Sequence, residues 1–160
     1  MKNQNTAAKQ PSPTLKVNEE KWSKPLWKSG WIGFPSVIVE RQLVLGLDSR
    51  DLNIILILAN HWWTKDKKPF PSKKSIAAAM SVTPRTVQRR IARMEKDGLI
   101  KREERRISGE GSRTNRYDLD GLIKAATGYA EEKLEKLEQR KQEDEATSRR
   151  KGKPRLKVVR

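Results

Sequence analysis

A pair of closely spaced helix starts is the strongest constraint on how this chain folds. Ser72 can cap one helix, and Thr83 can cap another in which Pro84 takes the first position, because its fixed φ and missing N–H suit that place. Gly98 suits the left-handed residue that follows a helix, so the second helix should end at about Asp97. The sequence therefore predicts a short helix, a Ser-Val connection and a second helix.

An apolar helix should precede this pair, and a β-hairpin should follow it. Asp48 and Ser49 can cap a helix that continues to about Trp63. The side chains expected to face the core are Leu52, Ile55, Ala59 and Trp62, and Leu56 and Leu58 should widen this face. Residues 99–107 and 116–119 are predicted strands, joined by a loop that contains SGEGS. Helix, helix, tight turn, helix and hairpin is the order of a winged helix-turn-helix.

The flanking segments differ from this domain in composition. Residues 1–21 nearly lack large apolar side chains, which predicts a disordered arm. The segment 22–47 is rich in tryptophan and should pack on the domain, with a strand and a helical turn expected within 37–47. The remaining predicted segments are the domain at 48–122, a helix at 123–147 and a disordered basic tail at 148–160. The expected fold class is mainly α with a small β-hairpin, a long C-terminal helix and flexible basic tails.

The chain carries a large surplus of positive charge, with 36 Lys and Arg against 20 Asp and Glu and a net charge of +16. Such a surplus indicates a polyanionic partner, either nucleic acid or an anionic membrane surface. The most apolar run, Leu52–Ala59, is far shorter than the roughly 20 residues that span a bilayer, and no secretory signal opens the chain. These features favour nucleic acid and argue against a membrane partner.

The second helix of the pair has a basic face opposite an apolar one. At about 100° per residue, Val87, Ile91 and Met94 fall on one side, where they can pack against the other helices. The candidate base-reading residues on the opposite side and its edges are Arg85, Thr86, Gln88, Arg89 and Arg93. Arginine can pair with guanine and glutamine with adenine in the major groove. The alternative is a solvated charged face that reads nothing.

Other basic residues are candidates for the DNA backbone. The predicted phosphate contacts are Ser72, Lys73, Lys74, Ser75 and Lys96. The predicted wing contacts are Arg105, Arg106, Arg113 and Arg116. The tail offers Arg149, Arg150, Lys151 and Lys153. Contacts to phosphate fix the register of a protein on DNA but carry no sequence information.

The sequence predicts no enzyme, no cofactor and no metal site. Its single histidine, His61, lies in an apolar helix and is expected to be packed or half-buried. No GxxxxGK[ST] loop is present to hold a nucleotide, and the chain has no cysteine. Acidic residues are mostly interleaved with Lys or Arg, as on solvated helices.

The run PFPSKKSIAAAMSVTPRTVQRRIARMEKDGLIKRE resembles the winged helix-turn-helix domains of bacterial plasmid and phage replication initiators and of related small regulators. The resemblance is carried by Pro69–Ser72, Arg85–Arg89 and Asp97–Ile100. It implies DNA binding by the third helix of the domain, through Arg85, Thr86, Gln88 and Arg89. The expected location is the bacterial cytoplasm, in association with the nucleoid.

Three roles remain open at this stage. The favoured role is a sequence-specific transcriptional regulator, and the others are a replication or partition factor at an origin and a DNA-binding subunit of a larger nucleoprotein complex. The C-terminal helix offers Ile123, Ala126, Ala130, Leu134 and Leu137 as an apolar face for a homodimer, unless it folds back on its own domain. The flexible arms are candidates for binding a protein partner.

Overall fold

The computed structural model describes residues 13–107 and 111–150, with side chains for 17–105 and 114–148. The helices are α1 (Pro13–Trp22), α2 (Lys24–Lys28), α3 (Ser36–Glu40), α4 (Ser49–Asn60), α5 (Lys73–Ala79), α6 (Pro84–Lys96) and α7 (Asp120–Arg150). The strands are β1 (Lys101–Ile107) and β2 (Gly111–Asp118). The chain divides into two compact units, Met1–Gly33 and Phe34–Arg160.

The predicted caps of the larger unit are confirmed. The Asp48 carboxylate accepts hydrogen bonds from the amides of Arg50 and Asp51 at the start of α4. The Ser72 hydroxyl accepts from the Ser75 amide at the start of α5, and the Thr83 hydroxyl accepts from the Thr86 amide at the start of α6. Gly98 follows α6 with a φ of 73°, the left-handed conformation that suits glycine.

The connection between α5 and α6 is tight and locally bonded. Ser81 adopts a φ of 52°, and its amide donates to the Ala78 carbonyl. The Val82 amide donates to the Ala77 carbonyl at 3.0 Å. These bonds satisfy backbone groups at the end of α5, so α6 can begin at Pro84 without a longer loop.

The core lies between α4, α5, α6, the base of the hairpin and the start of α7. From α6, Val87, Ile91 and Met94 are buried, as the helical periodicity predicted. Other fully buried side chains are Ile54, Ile55, Leu58, Ile76, Tyr117 and Leu122. Burying such aliphatic side chains contributes about 1.5 to 3 kcal/mol each, so this cluster fixes the orientation of α6.

The expected inward face of α4 is confirmed in part, because Ile55 and Leu58 are buried and Leu52 and Trp62 pack partly buried against the core. Burial of Asp51 and Ile54 was not expected. The buried residues of α4 are Asp51, Ile54, Ile55 and Leu58, whereas Leu52, Ala59 and Trp62 are half-buried. The helix is turned so that the Asp51 carboxylate faces two arginines of α6, and this contact between distant residues was not visible in the pattern. The helix also ends at Asn60 rather than Trp63, because the amides of His61 and Trp62 turn back to carbonyls of its last turn.

Residues 37–47 do not contain the expected strand. They form α3 and a series of turns, in which the Arg41 amide donates to Val37, the Leu45 amide to Arg41 and the Leu47 amide to Gln42. The run VIV is typical of a strand, yet these local bonds satisfy the backbone without a neighbouring strand. Phe34 and Val37 pack against the core, as expected of this part of the lead-in.

The hairpin is antiparallel, and it is attached to the helical layer. Its first strand starts at Lys101, two residues later than expected, and its second strand starts at Gly111, five residues earlier. The register shifts between Glu103 and Arg105. The Tyr117 amide donates to the Pro69 carbonyl at 2.9 Å, which ties β2 to the loop before α5. Residues 108–110 of the predicted flexible tip lie outside the described residues.

The last helix, α7, begins on the domain and extends past it. Leu122 and Ala126 are buried in the core, and Lys133 forms an ion pair with Glu40 of α3 at 2.7 Å. The helix continues to Arg150, beyond the predicted end at residue 147. Residues 151–160 of the predicted tail lie outside the described residues. Within the described chain, no helix is both long and apolar enough to cross a membrane.

The smaller unit contains α1 and α2. The sequence predicted no fixed structure before residue 22, but α1 occupies Pro13–Trp22, and residues 1–12 lie outside the described part. The rings of Trp27 and Trp31 stack nearly parallel, with centroids 5.0 Å apart. Aromatic contacts of this kind favour an ordered structure in the tryptophan-rich part of the smaller unit.

Candidate nucleic-acid interface

The outward face of α6 presents two arginines near its start. Because Val87, Ile91 and Met94 are buried, Arg85 and Arg89 point away from the core, and both are exposed. Neither guanidinium has a hydrogen bond or an ion pair within the described residues. Their charge is therefore available to a ligand outside the protein.

Gln88 and Thr86 flank these arginines and are held by neighbouring side chains. The Lys73 ammonium donates to the side-chain Oε1 of Gln88 at 3.2 Å, which joins the start of α5 to α6. The Thr86 hydroxyl lies 3.0 Å from that of Thr83, and the side chain is half-buried. The amide of Gln88 is exposed, and its NH2 group can still donate to a base.

Arg93, the remaining predicted base reader, is exposed like Arg85 and Arg89 but has partners within the protein. Its guanidinium donates to Oδ2 of the buried Asp51 at 2.8 Å and to the Gly46 carbonyl. Arg90 lies three residues earlier in α6, and its guanidinium forms an ion pair with the Asp48 carboxylate. The same guanidinium lies 3.7 Å from Oδ2 of Asp51. These contacts hold α6 against the start of α4.

The acids of this cluster have shifted pKa values. Burial raises the pKa of the Asp51 carboxyl. Burial also opposes ionisation of Asp48, but hydrogen bonds from the amide of Asp51 and the charge of Arg90 hold the pKa of Asp48 below its ordinary value. Sequence reasoning missed this cluster, although an aspartate three residues after an aspartate cap was a signal for it.

The start of α5 and the second strand border a groove of about 320 Å³. Its walls include Ser72, Lys73 and Lys74 from the helix and Thr114 and Asn115 from β2. Lys74 is exposed, whereas the hydroxyls of Ser72 and Ser75 lie 2.8 Å apart within the cap. The predicted phosphate residues of α5 therefore lie beside the wing, while Lys96 is exposed at the other end of α6.

The described wing arginines differ in their surroundings. The Arg105 guanidinium lies 5.2 Å from the centre of the Phe70 ring, and Arg116 is exposed. Arg102 donates to Glu95 of α6 at 2.7 Å, and this pairing lowers the pKa of the Glu95 carboxyl. The side chains of Arg106 and Arg113 lie outside the described residues.

Lys68 joins the two strands at their base. Its ammonium lies 2.5 Å from a Glu103 oxygen and 2.6 Å from an Asp118 oxygen. The hydrogen bond from Lys68 lowers the pKa of Asp118, and the two acids raise the pKa of Lys68. These ion pairs hold the hairpin beside the loop that precedes α5.

The remaining residues considered in the sequence are His61 and four basic residues of the tail. His61 is exposed at the end of α4 rather than packed, because the helix ends one residue earlier. Arg149 and Arg150 are the last residues of α7, and their side chains lie outside the described residues. Lys151 and Lys153 lie entirely outside the described residues. The described residues contain no group of three or more acidic or histidine side chains that could hold a metal ion.

Residues 45–100 match the model of a family described as a helix-turn-helix domain. Among solved structures, the N-terminal domain of DnaD from Geobacillus kaustophilus has a TM-score of 0.51 and 18% identity, with 75% of this chain and 96% of that chain covered. No curated protein matches the sequence.

Two other solved structures are more distant. A possible transcriptional regulator from Methanosarcina mazei has a TM-score of 0.42 and 18% identity over 68% of this chain and 85% of that chain. YusO from Bacillus subtilis has a TM-score of 0.39 and 16% identity over 88% of this chain and 96% of that chain. The family-model match alone assigns residues 45–100 to a helix-turn-helix domain, the class of fold in which a helix enters the major groove of DNA.

Proposed function

We propose that this protein binds double-stranded DNA in a sequence-specific manner and acts as a transcriptional regulator of a bacterial, plasmid or phage locus. The observation that supports it is the pair of exposed arginines, Arg85 and Arg89, one helical turn apart on the outward face of α6. Arginine is the side chain best suited to guanine in the major groove. Such a protein would act at the nucleoid of the bacterial cytoplasm.

The proposed readout divides the basic residues by role. Arg85, Gln88 and Arg89 read bases, and Thr86 assists at the edge of the same face. Arg93 is left out of the readout, because Asp51 and the Gly46 carbonyl already engage its guanidinium. The proposed phosphate contacts are Ser72, Lys73, Lys74, Ser75 and Lys96 from the helices, with Arg105, Arg106, Arg113 and Arg116 from the wing.

Base reading is tested by selecting a binding site from a randomised duplex library and measuring variants on it. Arg89→Ala should weaken binding to the selected site by roughly 1 to 3 kcal/mol and relax the preference at one base position. Lys74→Ala should weaken selected and random duplexes by the same factor, since a phosphate contact reads no sequence.

The matched control is Arg140→Ala, which removes the same charge from the exposed part of α7. It should change affinity only by its effect on net charge. An Arg89→Ala variant that loses no more affinity than Arg140→Ala, and keeps its base preference, would contradict the readout by α6.

Footprinting over the DNA upstream of the coding sequence separates the biological roles. A single protected site at a promoter supports a regulator. Protected repeats at an origin would instead support the alternative role, a replication or partition factor. A shift that depends only on DNA length would indicate a subunit of a larger nucleoprotein complex.

We also propose that α7 mediates a homodimer through its later residues. Ala126 is buried in its own domain and Ala130 is half-buried, so the first turns of the predicted apolar face already have an intramolecular partner. Leu134 and Leu137 are 65% and 51% exposed, and Ile123 is 43% exposed. Exposed leucines on a projecting helix are suited to a second copy, which would place two α6 helices on two half-sites.

Light scattering without DNA tests the dimer. The full chain should have the mass of a dimer at tens of micromolar, and a variant with Leu134→Ser and Leu137→Ser should be a monomer. A monomeric full chain at that concentration would contradict the proposal, and the terminal segments would then be the remaining candidates for protein contacts.

A further inference from the structure

The smaller unit exposes an aromatic cleft that the helix-turn-helix does not use. The cleft has a volume of about 540 Å³, and its walls include Trp22, Leu26, Trp27 and Trp31. Trp22, Leu26 and Trp31 are each more than half exposed. These side chains form a large exposed apolar surface within one short segment, and such surfaces often mark binding sites.

The tryptophan rings in the cleft are arranged as flat platforms. Trp27 and Trp31 stack with an angle of 7° between their planes, so each supports the other in a fixed orientation. Trp31 is still 57% exposed, which leaves much of its ring accessible. Trp22 supplies a second exposed ring. Flat π-faces of this kind stack on any nucleobase, since every base has a π-face.

The charges around the cleft favour a polyanion. Residues 17–33 contain three lysines, Lys21, Lys24 and Lys28, and two acidic residues, Glu19 and Glu20. The Lys21 ammonium lies 5.5 Å from the centre of the Trp22 ring, and Lys24 and Lys28 are exposed on α2. Asn18 also lines the cleft, and its amide can donate and accept hydrogen bonds. An apolar aromatic surface with a basic rim matches the bases and phosphates of an unpaired strand.

We propose that residues 17–33 form a binding site for single-stranded DNA. Bases stack on Trp31 and Trp22, and the phosphates lie against Lys21, Lys24 and Lys28. Duplex DNA cannot use this site in the same way, because the faces of its bases are covered by their neighbours. The site is separate from the α6 readout, so either proposal can fail without the other.

The test uses the full chain and a fluorescently labelled oligothymidine of about 16 nucleotides. Trp31→Leu keeps an apolar side chain but removes the ring, and it should weaken binding about tenfold. Trp31→Phe keeps a ring and should remain within about threefold of the wild type. Trp22→Leu should also weaken binding. Because this change leaves the stack of Trp27 on Trp31 in place, its effect cannot be attributed to the loss of that stack.

Two controls separate this site from the helix-turn-helix. A variant with Arg85→Ala and Arg89→Ala should lose preference for the selected duplex and keep most of its affinity for the oligothymidine. The Trp31→Leu variant should bind the selected duplex as the wild type does. Bound oligothymidine should also quench tryptophan fluorescence in the wild type, and less so in Trp31→Leu.

The proposal is overturned if Trp31→Leu and Trp22→Leu bind the oligothymidine as tightly as the wild type. It is also overturned if these variants abolish a concentration-dependent self-association and leave oligothymidine binding unchanged, since the cleft would then hold a second copy of the chain.

Discussion

Asp51 is the buried acid that orients α6 against α4. Its side chain is completely buried, and Oδ2 accepts hydrogen bonds from the Asp48 amide at 3.0 Å and from Arg93 at 2.8 Å. Its other oxygen has no hydrogen bond within the described part of the chain. A buried carboxylate requires positively charged or hydrogen-bonding partners, and here Arg93 and Arg90 supply them. Because these two arginines pair with Asp51, their guanidinium groups are less available to DNA.

Removing this carboxylate should destabilise the larger unit. We expect Asp51→Ala to lower the free energy of unfolding by about 2 to 3 kcal/mol, because the hydrogen bonds to charged groups are lost and Arg93 is left without its buried partner. Urea denaturation measures the change. Asp97→Ala is the matched control, since Asp97 is exposed and lies 3.8 Å from the same arginine. It should cost less than about 1 kcal/mol, and equal losses would show that burial does not matter here.

The pair of Glu95 and Arg102 should make stability depend on pH. Hydrogen bonds from the Arg102 side chain hold the pKa of the folded Glu95 carboxyl below its ordinary value. A lowered pKa in the folded state stabilises the protein above the unfolded pKa of about 4.3, and this contribution is lost as the pH falls through the folded value.

The stability of Glu95→Gln should therefore fall less than that of the wild type between about pH 7 and about pH 3. Urea denaturation at both pH values gives the comparison. Glu131→Gln, on the exposed surface of α7, is the control and should follow the wild type. If Glu95→Gln shows the same loss as the wild type, the ion pair contributes nothing to acid sensitivity.

At the scale of elements, the contact between α7 and the end of α6 depends on the absence of a side chain. A methyl group at Gly121 would lie 1.9 Å from the Gly98 carbonyl oxygen, a backbone atom that cannot turn away. The Leu122 amide donates to the Leu99 carbonyl at 2.9 Å in the same place. This close approach lets Leu122 reach the core and sets the direction of α7.

Two glycines of α7 should respond to alanine in opposite ways. Gly121→Ala should destabilise the protein by about 2 to 3 kcal/mol, because backbone must shift to admit the methyl group. Gly128→Ala has open space around it and should stabilise the protein by about 0.5 to 1 kcal/mol through helix propensity. Thermal unfolding gives both changes, and stabilisation by Gly121→Ala would contradict the packing at the start of α7.

The net charge of +16 predicts strong electrostatic attraction to DNA in addition to specific contacts. Residues 149–160 contribute seven Lys or Arg and no acid, among them Arg149, Arg150, Lys151 and Lys153. We propose that they add affinity without specificity, since a phosphate contact carries no sequence information.

Deleting residues 149–160 should reduce the dependence of DNA affinity on salt. Each phosphate contact that is lost should lower the slope of log affinity against log salt by about 0.9, and selected and random duplexes should weaken by a similar factor. Titrations of both proteins at several salt concentrations measure the slope. An unchanged slope would indicate that the tail contacts a protein partner instead.

Local signals made the helix-turn-helix predictable. The caps at Asp48, Ser72 and Thr83 and the left-handed Gly98 all act within a few residues of themselves, so their spacing in the sequence is sufficient to locate them. The inward face of α6 also followed from periodicity, because its three apolar residues share one side.

The candidate site was predictable to a lesser extent. Periodicity placed Arg85 and Arg89 outward, but it could not separate them from Arg93, which lies near the edge of the same face. What distinguishes Arg93 is its buried partner Asp51, 42 residues earlier in the chain.

Neighbouring residues were sufficient to predict where α4, α5 and α6 begin, because capping acts within a few residues. The folded structure was needed to show that Asp51 of α4 is buried, that residues 36–40 are helical rather than extended, and where α7 leaves the domain. The physical reason is that burial, ion pairing and close packing join residues far apart in the chain, and their partners exist only after the chain has folded.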